Sequence, residues 1–208
     1  MAGSLSRVLT SARLKLSVFI PTKDRPDWLP RAVKSVLSQT HKDWELIILD
    51  NSEESYLETL GIEACEPWLY DRRIQYVHEL CDGVADACTK ALGLCTGDVC
   101  TFLGDADRLA PYALESAASA FGQWPDLRWM YGATELRHQD DSFWCHRGHI
   151  PFSLEELKKQ YYLGGAVYWR KSLSARLGGY EERHDGAADY GLYLKFAQDS
   201  VPYWLPEV

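Results

Sequence analysis

Two aspartates one residue apart, Asp105 and Asp107, close the apolar run "VCTFLGDAD" over residues 99–107. In an extended segment, side chains at i and i+2 point the same way, so both carboxylates can serve one cation. Hard divalent ions such as Mg2+ or Mn2+ take oxygen ligands, commonly one or two carboxylates together with phosphate oxygens. The chemistry this pairing suggests is neutralisation of a diphosphate. A D-x-D taken alone is a weak signal, because aspartate is also a common turn and cap former. Its place at the end of a buried strand gives it weight.

Other acids fall at comparable places. Thr22, Lys23 and Asp24 follow the apolar stretch "KLSVFIP", and Asp50 and Asn51 end "WELIILD". In open α/β sheets, ligands collect beyond the carboxyl ends of the strands, so these residues are expected to meet at one edge. Asp50 suits either a turn or an acceptor for a nucleobase N–H or ribose hydroxyl. Asp189, after the loop "HDGAADY", suits the first turn of a helix and could also take a proton. Lys23 and Arg25 are phosphate contacts or exposed loop charges. His184, beside Asp185, is a ligand contact or a solvated histidine. Trp144 and Trp169 either stack on sugar rings or pack in the interior, the commoner use of tryptophan.

The elements that must position these groups follow from periodicity. Strands are expected at 15–21, 44–50, 73–79, 99–107, 127–136 and 165–171. Helical spacing marks 26–40, 84–95, 111–124, 153–162 and 189–199, with a Ser153–Glu156 capping box opening the fourth. Strand and helix alternate up to residue 124, the pattern of a mostly parallel sheet flanked by helices. The second half is more mixed. The fold class expected is therefore α/β, as a single Rossmann-like domain.

Composition narrows the function classes. With 208 residues, 46% of them hydrophobic, the chain can fill one sizeable core. A net charge of -8 argues against an extended nucleic-acid surface, which needs a basic face. No apolar run nears the roughly 18 residues of a membrane span. Residues 1–15 carry Arg7, Arg13 and Lys15 without the apolar core of a signal peptide, and read as an N-terminal arm. The six cysteines form no C-x-x-C pair, so reduced thiols and a cytoplasmic setting are expected, with peripheral attachment to the inner face of a membrane left open.

Taken in order, three segments resemble the family 2 inverting glycosyltransferases of the A-type nucleotide-sugar-binding fold. They are "SVFIPTKDRPDWLPRAVKSVLSQTHKDWELIILDNS" (17–52), "GVADACTKALGLCTGDVCTFLGDAD" (83–107) and "GGAVYWRKSLSARLGGYEERHDGAADYGLYLKF" (164–196). The resemblance implies a transferase domain over 16–208, with a nucleotide-binding half at 16–107 and an acceptor-side half at 108–208. It implies that Pro21, Thr22, Asp24 and Arg25 form the first nucleotide loop and that Asp50 binds the base. Asp105 and Asp107 would engage the ribose and the Mn2+ or Mg2+ diphosphate, and Asp189 would be the catalytic base. The implied donor is a nucleoside-diphosphate sugar, UDP by family habit.

The chain departs from the family pattern at three places. The acidic pair before the last helix reads Ala188-Asp189. The Arg-Asn often found on the helix after Gly83 reads Cys88-Thr89. The sequence ends at "VPYWLPEV", where members usually continue, so a truncated acceptor half is one expectation. Acceptor chemistry stays open among glycan, lipid-linked glycan, protein and nucleobase, as does assembly into a homo-oligomer. The alternatives to a transferase are a non-catalytic nucleotide-sugar-binding module, a structural protein that keeps the fold, and a sugar nucleotidyltransferase. The last requires a glycine-rich loop after the first strand, and "IPTKDRPDW" contains no glycine.

Overall fold

A computed structural model of the chain describes residues 14–60, 68–138, 140–148, 150–181 and 187–206. The first half holds β1 (Leu16–Thr22), α1 (Leu29–Leu37), β2 (Trp44–Asp50), α2 (Tyr56–Leu60), β3 (Ile74–His78), α3 (Gly83–Leu94) and β4 (Val99–Phe102). It continues with α4 (Ala113–Gln123), β5 (Trp129–Gly132), β6 (Thr134–Arg137), β7 (Phe143–Arg147) and α5 (Leu154–Lys159). The last described elements are β8 (Val167–Arg170), α6 (Lys171–Leu177), α7 (Ala188–Asp199) and β9 (Tyr203–Leu205).

Among the described residues, seven strands form one sheet in the order β3-β2-β1-β4-β8-β5-β9. The mostly parallel expectation holds: β8 alone runs against its neighbours β4 and β5, and the other pairings are parallel. Strands β1 and β2 are buried at every position, because helices cover both faces of the sheet. On one face Val18, Ile20, Leu46 and Ile48 meet Val33 and Val36 of α1 and Leu114 and Phe121 of α4. On the other, Phe19, Ile47 and Leu49 join Ala87 and Ala91 of α3 and Leu192 and Phe196 of α7. Alternation along each strand supplies both layers.

Several boundaries differ from the sequence reading. Residues 127–136 are not one strand: β5 stays in the main sheet, whereas β6 leaves it and pairs antiparallel with β7 as a separate hairpin. A run of apolar residues does not reveal that its chain changes sheet. The helix read at 26–40 begins at Leu29, with Pro30 in its first turn. The capping box is present, Ser153 Oγ accepting from Glu156 N at 3.3 Å, but the helix it opens ends at Lys159. The short elements α2, α6, β7 and β9 had no periodic signal long enough to read. Cys81, Cys95, Cys100 and Cys145 are free thiols, while Cys65 lies outside the described residues.

The end of the sheet opposite the acids is fastened by Glu45. Its carboxylate, 9% exposed, accepts from Ser17 Oγ at 2.6 Å, Thr96 Oγ1 at 2.7 Å, Gly97 N at 3.1 Å and Lys15 Nζ at 2.5 Å. Burial alone would raise its pKa; the hydrogen bonds from Lys15, Ser17 and Thr96 outweigh that and hold it at about 2. The stabilisation is complete above the ordinary value of 4.5 and is lost as pH falls toward 2. Glu45→Gln is expected to cost about 1–2 kcal/mol at neutral pH after allowing for solvent screening. Urea titrations at pH 7 and pH 3 check this, since the gap between variant and wild type should narrow at the lower pH.

Candidate active site

Chain direction explains why the acids meet. Strand order reverses at β1, with β2 and β3 on one side and β4 on the other, so a crevice opens beyond the carboxyl ends of β1 and β4. Thr22 ends β1 and Asp105 follows β4 across that crevice. Thr22 Oγ1 donates to Asp105 Oδ2 at 2.8 Å, closing the distance between segments 83 residues apart. Because β8 runs antiparallel, its N-terminal approach, Gly164 to Ala166, arrives at the same edge.

The D-x-D is a turn, not the extended segment expected. Strand β4 stops at Phe102, and Asp107 N donates back to Gly104 O at 3.0 Å. The two carboxylates consequently have different surroundings. Asp105 is buried at 7% exposure and accepts from Thr22 and from Arg25 Nη1, the latter at 3.3 Å. Asp107 reaches the open side, within 3.8 Å of where a Cβ on Gly165 would stand. Its pKa is raised, first by desolvation between the cleft walls, then by the charges of Asp105 and Asp189. The last contribution brings Asp189 of α7 into the same electrostatic neighbourhood.

Asp189 sits in the first turn of α7, after Ala188, where the helix dipole favours an anion. Tyr190 N donates to Asp189 Oδ1 at 2.8 Å. The other flank is aromatic. Tyr161 stacks near Tyr190 and Tyr193 and donates its hydroxyl to Gly164 O at 2.6 Å. Burial pushes the Tyr161 phenol well up, Tyr193 and Asp189 push it further, and Arg147 on β7 opposes them. Gly164 has φ +74, and a side chain there would meet Thr134 Oγ1 at 2.6 Å, so glycine lets the hairpin base close on the site.

Other expected residues are placed as follows. Pro21 is buried within β1 beside Leu49. Asp24 is exposed with φ 54, and its N–H donates to Ser52 Oγ at 2.9 Å. Asp50 is fully buried, its Oδ1 accepting from Ser52 N at 3.0 Å and its Oδ2 from Tyr56 N at 2.8 Å and from the Tyr76 hydroxyl. Lys23 and Arg25 are exposed at the crevice rim. Trp169 is interior, whereas Trp144 is 59% exposed on the hairpin. His184 and Asp185 lie outside the described residues. Sequence reasoning missed Tyr56, Tyr161 and Arg147. None carries a local motif, and each reaches the site only through folding.

Residues 17–173 match the family described as Glycosyl transferase family 2. The chain belongs to that family. Among curated relatives of this family 2 chain, the O-antigen biosynthesis protein RfbC of Myxococcus xanthus is 29% identical over 90% of the chain and 15% of its own length. A PGL/p-HBAD biosynthesis glycosyltransferase of Mycobacterium bovis is 30% identical over 86% of the chain and 68% of its own length. In structure the chain resembles S. aureus TarS in complex with UDP-GlcNAc, with a TM-score of 0.71 and 16% identity over 88% of this chain and 53% of that one. It equally resembles the mannosyltransferase PcManGT of Pyrobaculum calidifontis in complex with GDP-Man and Mn2+, with a TM-score of 0.71 and 17% identity over 94% and 55%. The fold is thus the A-type glycosyltransferase fold. The chain spans 15% and 31% of the lengths of the first two curated relatives, and about half of these solved structures.

The donor set can be tested against a divalent ion. Among the described residues no group of three or more His, Cys, Asp or Glu side chains forms a protein-made metal cage. Mg2+ and Mn2+ do not require one when phosphate oxygens complete the shell. Asp107 fits that use: a carboxylate crowded by Asp105 and Asp189, whose excess negative charge a cation would relieve. Asp105 already accepts from Thr22 and Arg25. Among the described residues no helix is long and apolar enough to cross a membrane.

Proposed function

We propose that the chain is a metal-dependent inverting glycosyltransferase that moves a sugar from a nucleoside-diphosphate sugar, a UDP-sugar first, to an acceptor hydroxyl. The observation that carries this reading is the crevice where strand order reverses, across which Thr22 Oγ1 donates to Asp105 Oδ2 at 2.8 Å while Asp107 stands on the open side beside Gly165. The family and the fold support it, and the nucleotide sugars held by TarS and PcManGT point the same way.

Each residue has a task in this reading. Thr22, Asp24 and Arg25 form the loop beside the donor phosphates and ribose, with Pro21 fixing its entry and Asp105 holding it. Asp50 shapes the base pocket from beneath, its oxygens braced by Ser52, Tyr56 and Tyr76. Asp107 holds Mn2+ or Mg2+, which would supply Lewis-acid neutralisation of the leaving diphosphate. Asp189 accepts the proton of the acceptor hydroxyl as that oxygen forms its bond to the anomeric carbon. The bond from that carbon to the diphosphate oxygen breaks with its electron pair on the nucleotide. Attack from the face opposite the leaving group inverts the centre without a covalent intermediate.

Calorimetric titration with UDP, GDP and dTDP, in Mn2+ and again in EDTA, tests the reading. One nucleotide should bind in Mn2+ and weaken by at least about tenfold in EDTA. If none binds under either condition, the transferase reading falls.

A further inference from the structure

We propose that Tyr56 is a positioning residue of the donor site, joining the buried acid at the end of β2 to the acid that follows β4. The proposal rests on the donor-binding reading above and assigns a role to a residue outside the segments that carry the family resemblance.

The available hydroxyl protons fix the direction of each bond around Tyr56. Thr22 has a single hydroxyl proton, and it goes to Asp105 Oδ2 at 2.8 Å. The contact between Thr22 Oγ1 and the Tyr56 hydroxyl, at 3.0 Å, must then be donated by Tyr56. The Tyr56 oxygen in turn accepts from Arg25 N. All three bonds therefore run one way, from the Arg25 amide through Tyr56 and Thr22 to Asp105. Arg25 Nη1 closes the circuit on the other carboxylate oxygen of Asp105 at 3.3 Å. The four residues form one ring of hydrogen bonds around the mouth of the crevice.

Tyr56 also acts through its main chain. Its N–H donates to Asp50 Oδ2 at 2.8 Å, and Tyr76 donates to the same oxygen. One residue thus braces Asp50 with its amide and the Thr22–Arg25 loop with its hydroxyl. Tyr56 is 2% exposed, Thr22 4% and Asp50 0%, so water cannot substitute for a lost partner. A tyrosine that only filled the core would need no hydroxyl aimed at the loop. Here the hydroxyl holds the loop, so the nucleoside end and the diphosphate end of a donor meet one fixed geometry.

The test is a double-mutant cycle on affinity. Kd for the tightest binder among UDP, GDP and dTDP is measured in Mn2+ for wild type, Tyr56→Phe, Thr22→Val and the double variant, at a temperature well below every melting point. Tyr56→Phe keeps the ring and the bond to Asp50 but opens the circuit. Each single change should weaken binding about tenfold, and the double change no more than the worse single, because both break the same circuit. Binding by Tyr56→Phe within about twofold of wild type would overturn the proposal, as would independent losses multiplying to about a hundredfold. Should Tyr56→Phe not fold, Tyr56→His takes its place in the same cycle with Thr22→Val, and the same two outcomes decide. Failure of wild type to bind any of the three nucleotides removes the donor-binding reading itself, a separate result.

Discussion

Replacing Asp189 by asparagine is expected to lower the sugar-transfer rate by about a thousandfold while leaving nucleotide affinity within about twofold of wild type. Asparagine keeps the carbonyl oxygen that accepts from Tyr190 N, so the first turn of α7 should stay in place. What disappears is the ability to take a proton. A group that acts only on the acceptor hydroxyl contributes to the chemical step and not to donor binding, so the loss should fall on kcat. The assay is nucleotide release from a panel of UDP-sugars with added acceptors, alongside calorimetry of the nucleotide alone. Proton NMR of the product's anomeric coupling examines inversion in the same experiment. An Asp189→Asn variant with undiminished turnover would remove Asp189 from the mechanism.

Asp107→Asn is expected to have the second large effect, with opposite signs for binding and for stability. Metal-dependent nucleotide binding should fall by at least about a hundredfold, because the cation loses its protein carboxylate. The folded chain without metal or nucleotide should nevertheless become more stable. The Asp107 pKa lies above its ordinary value of 3.8 in the folded chain, owing to desolvation, Asp105 and Asp189. For a carboxylate raised in this way, stability is greatest below the unfolded value and is lost as pH rises through the folded one. At neutral pH the wild-type chain carries that cost and the asparagine variant does not. The variant should melt slightly higher without ligand, by a margin that solvent screening at the exposed Asp107 keeps small, and the order should reverse in Mn2+ plus nucleotide. Equal melting points without ligand, at both pH 4 and pH 7, would contradict the crowding of charge at Asp107.

These two results would show how a site of this kind balances function against stability. Asp105, Asp107 and Asp189 gather negative charge at one sheet edge, where folding alone gains nothing from it. The opposite edge shows the contrast. Glu45 is buried, but Lys15, Ser17, Thr96 and Gly97 satisfy it completely, and its charge stabilises the fold. A carboxylate with every donor in place is structural. One left short of donors beside two others carries a repulsion that a bound cation would relieve.

Much of this site was legible in the linear chain. Asp24, Asp50, Asp105 and Asp107 each follow an apolar run, and parallel strands bring their carboxyl ends to one edge, so the convergence could be stated from the alternation of elements. The local geometry was not legible. Extended spacing at 105–107 implied that both carboxylates point the same way and can serve one cation. The turn closed by Asp107 N to Gly104 O instead gives Asp105 to the loop and Asp107 to the open cleft. Asp50, read as an acceptor for the base, has its oxygens braced by the protein's own donors, because Tyr56 and Tyr76 fold over it from elements whose sequence shows no such purpose. The hairpin of β6 and β7 went unread because the change of sheet after Gly132 leaves the apolar pattern almost unbroken.

By itself, then, the sequence determined the class of fold, the edge at which its acids meet and the family they belong to. Those features rest on hydrophobic periodicity and on short motifs, which are local properties of the chain. Only the tertiary structure decided which carboxylate is held and which is open. It also decided that β8 runs backwards to deliver Gly165 beside Asp107, and that Tyr56 and Tyr161 stand behind the acids. These are contacts between residues tens of positions apart, set by packing and by the pairing of donors with acceptors, and no local pattern encodes them.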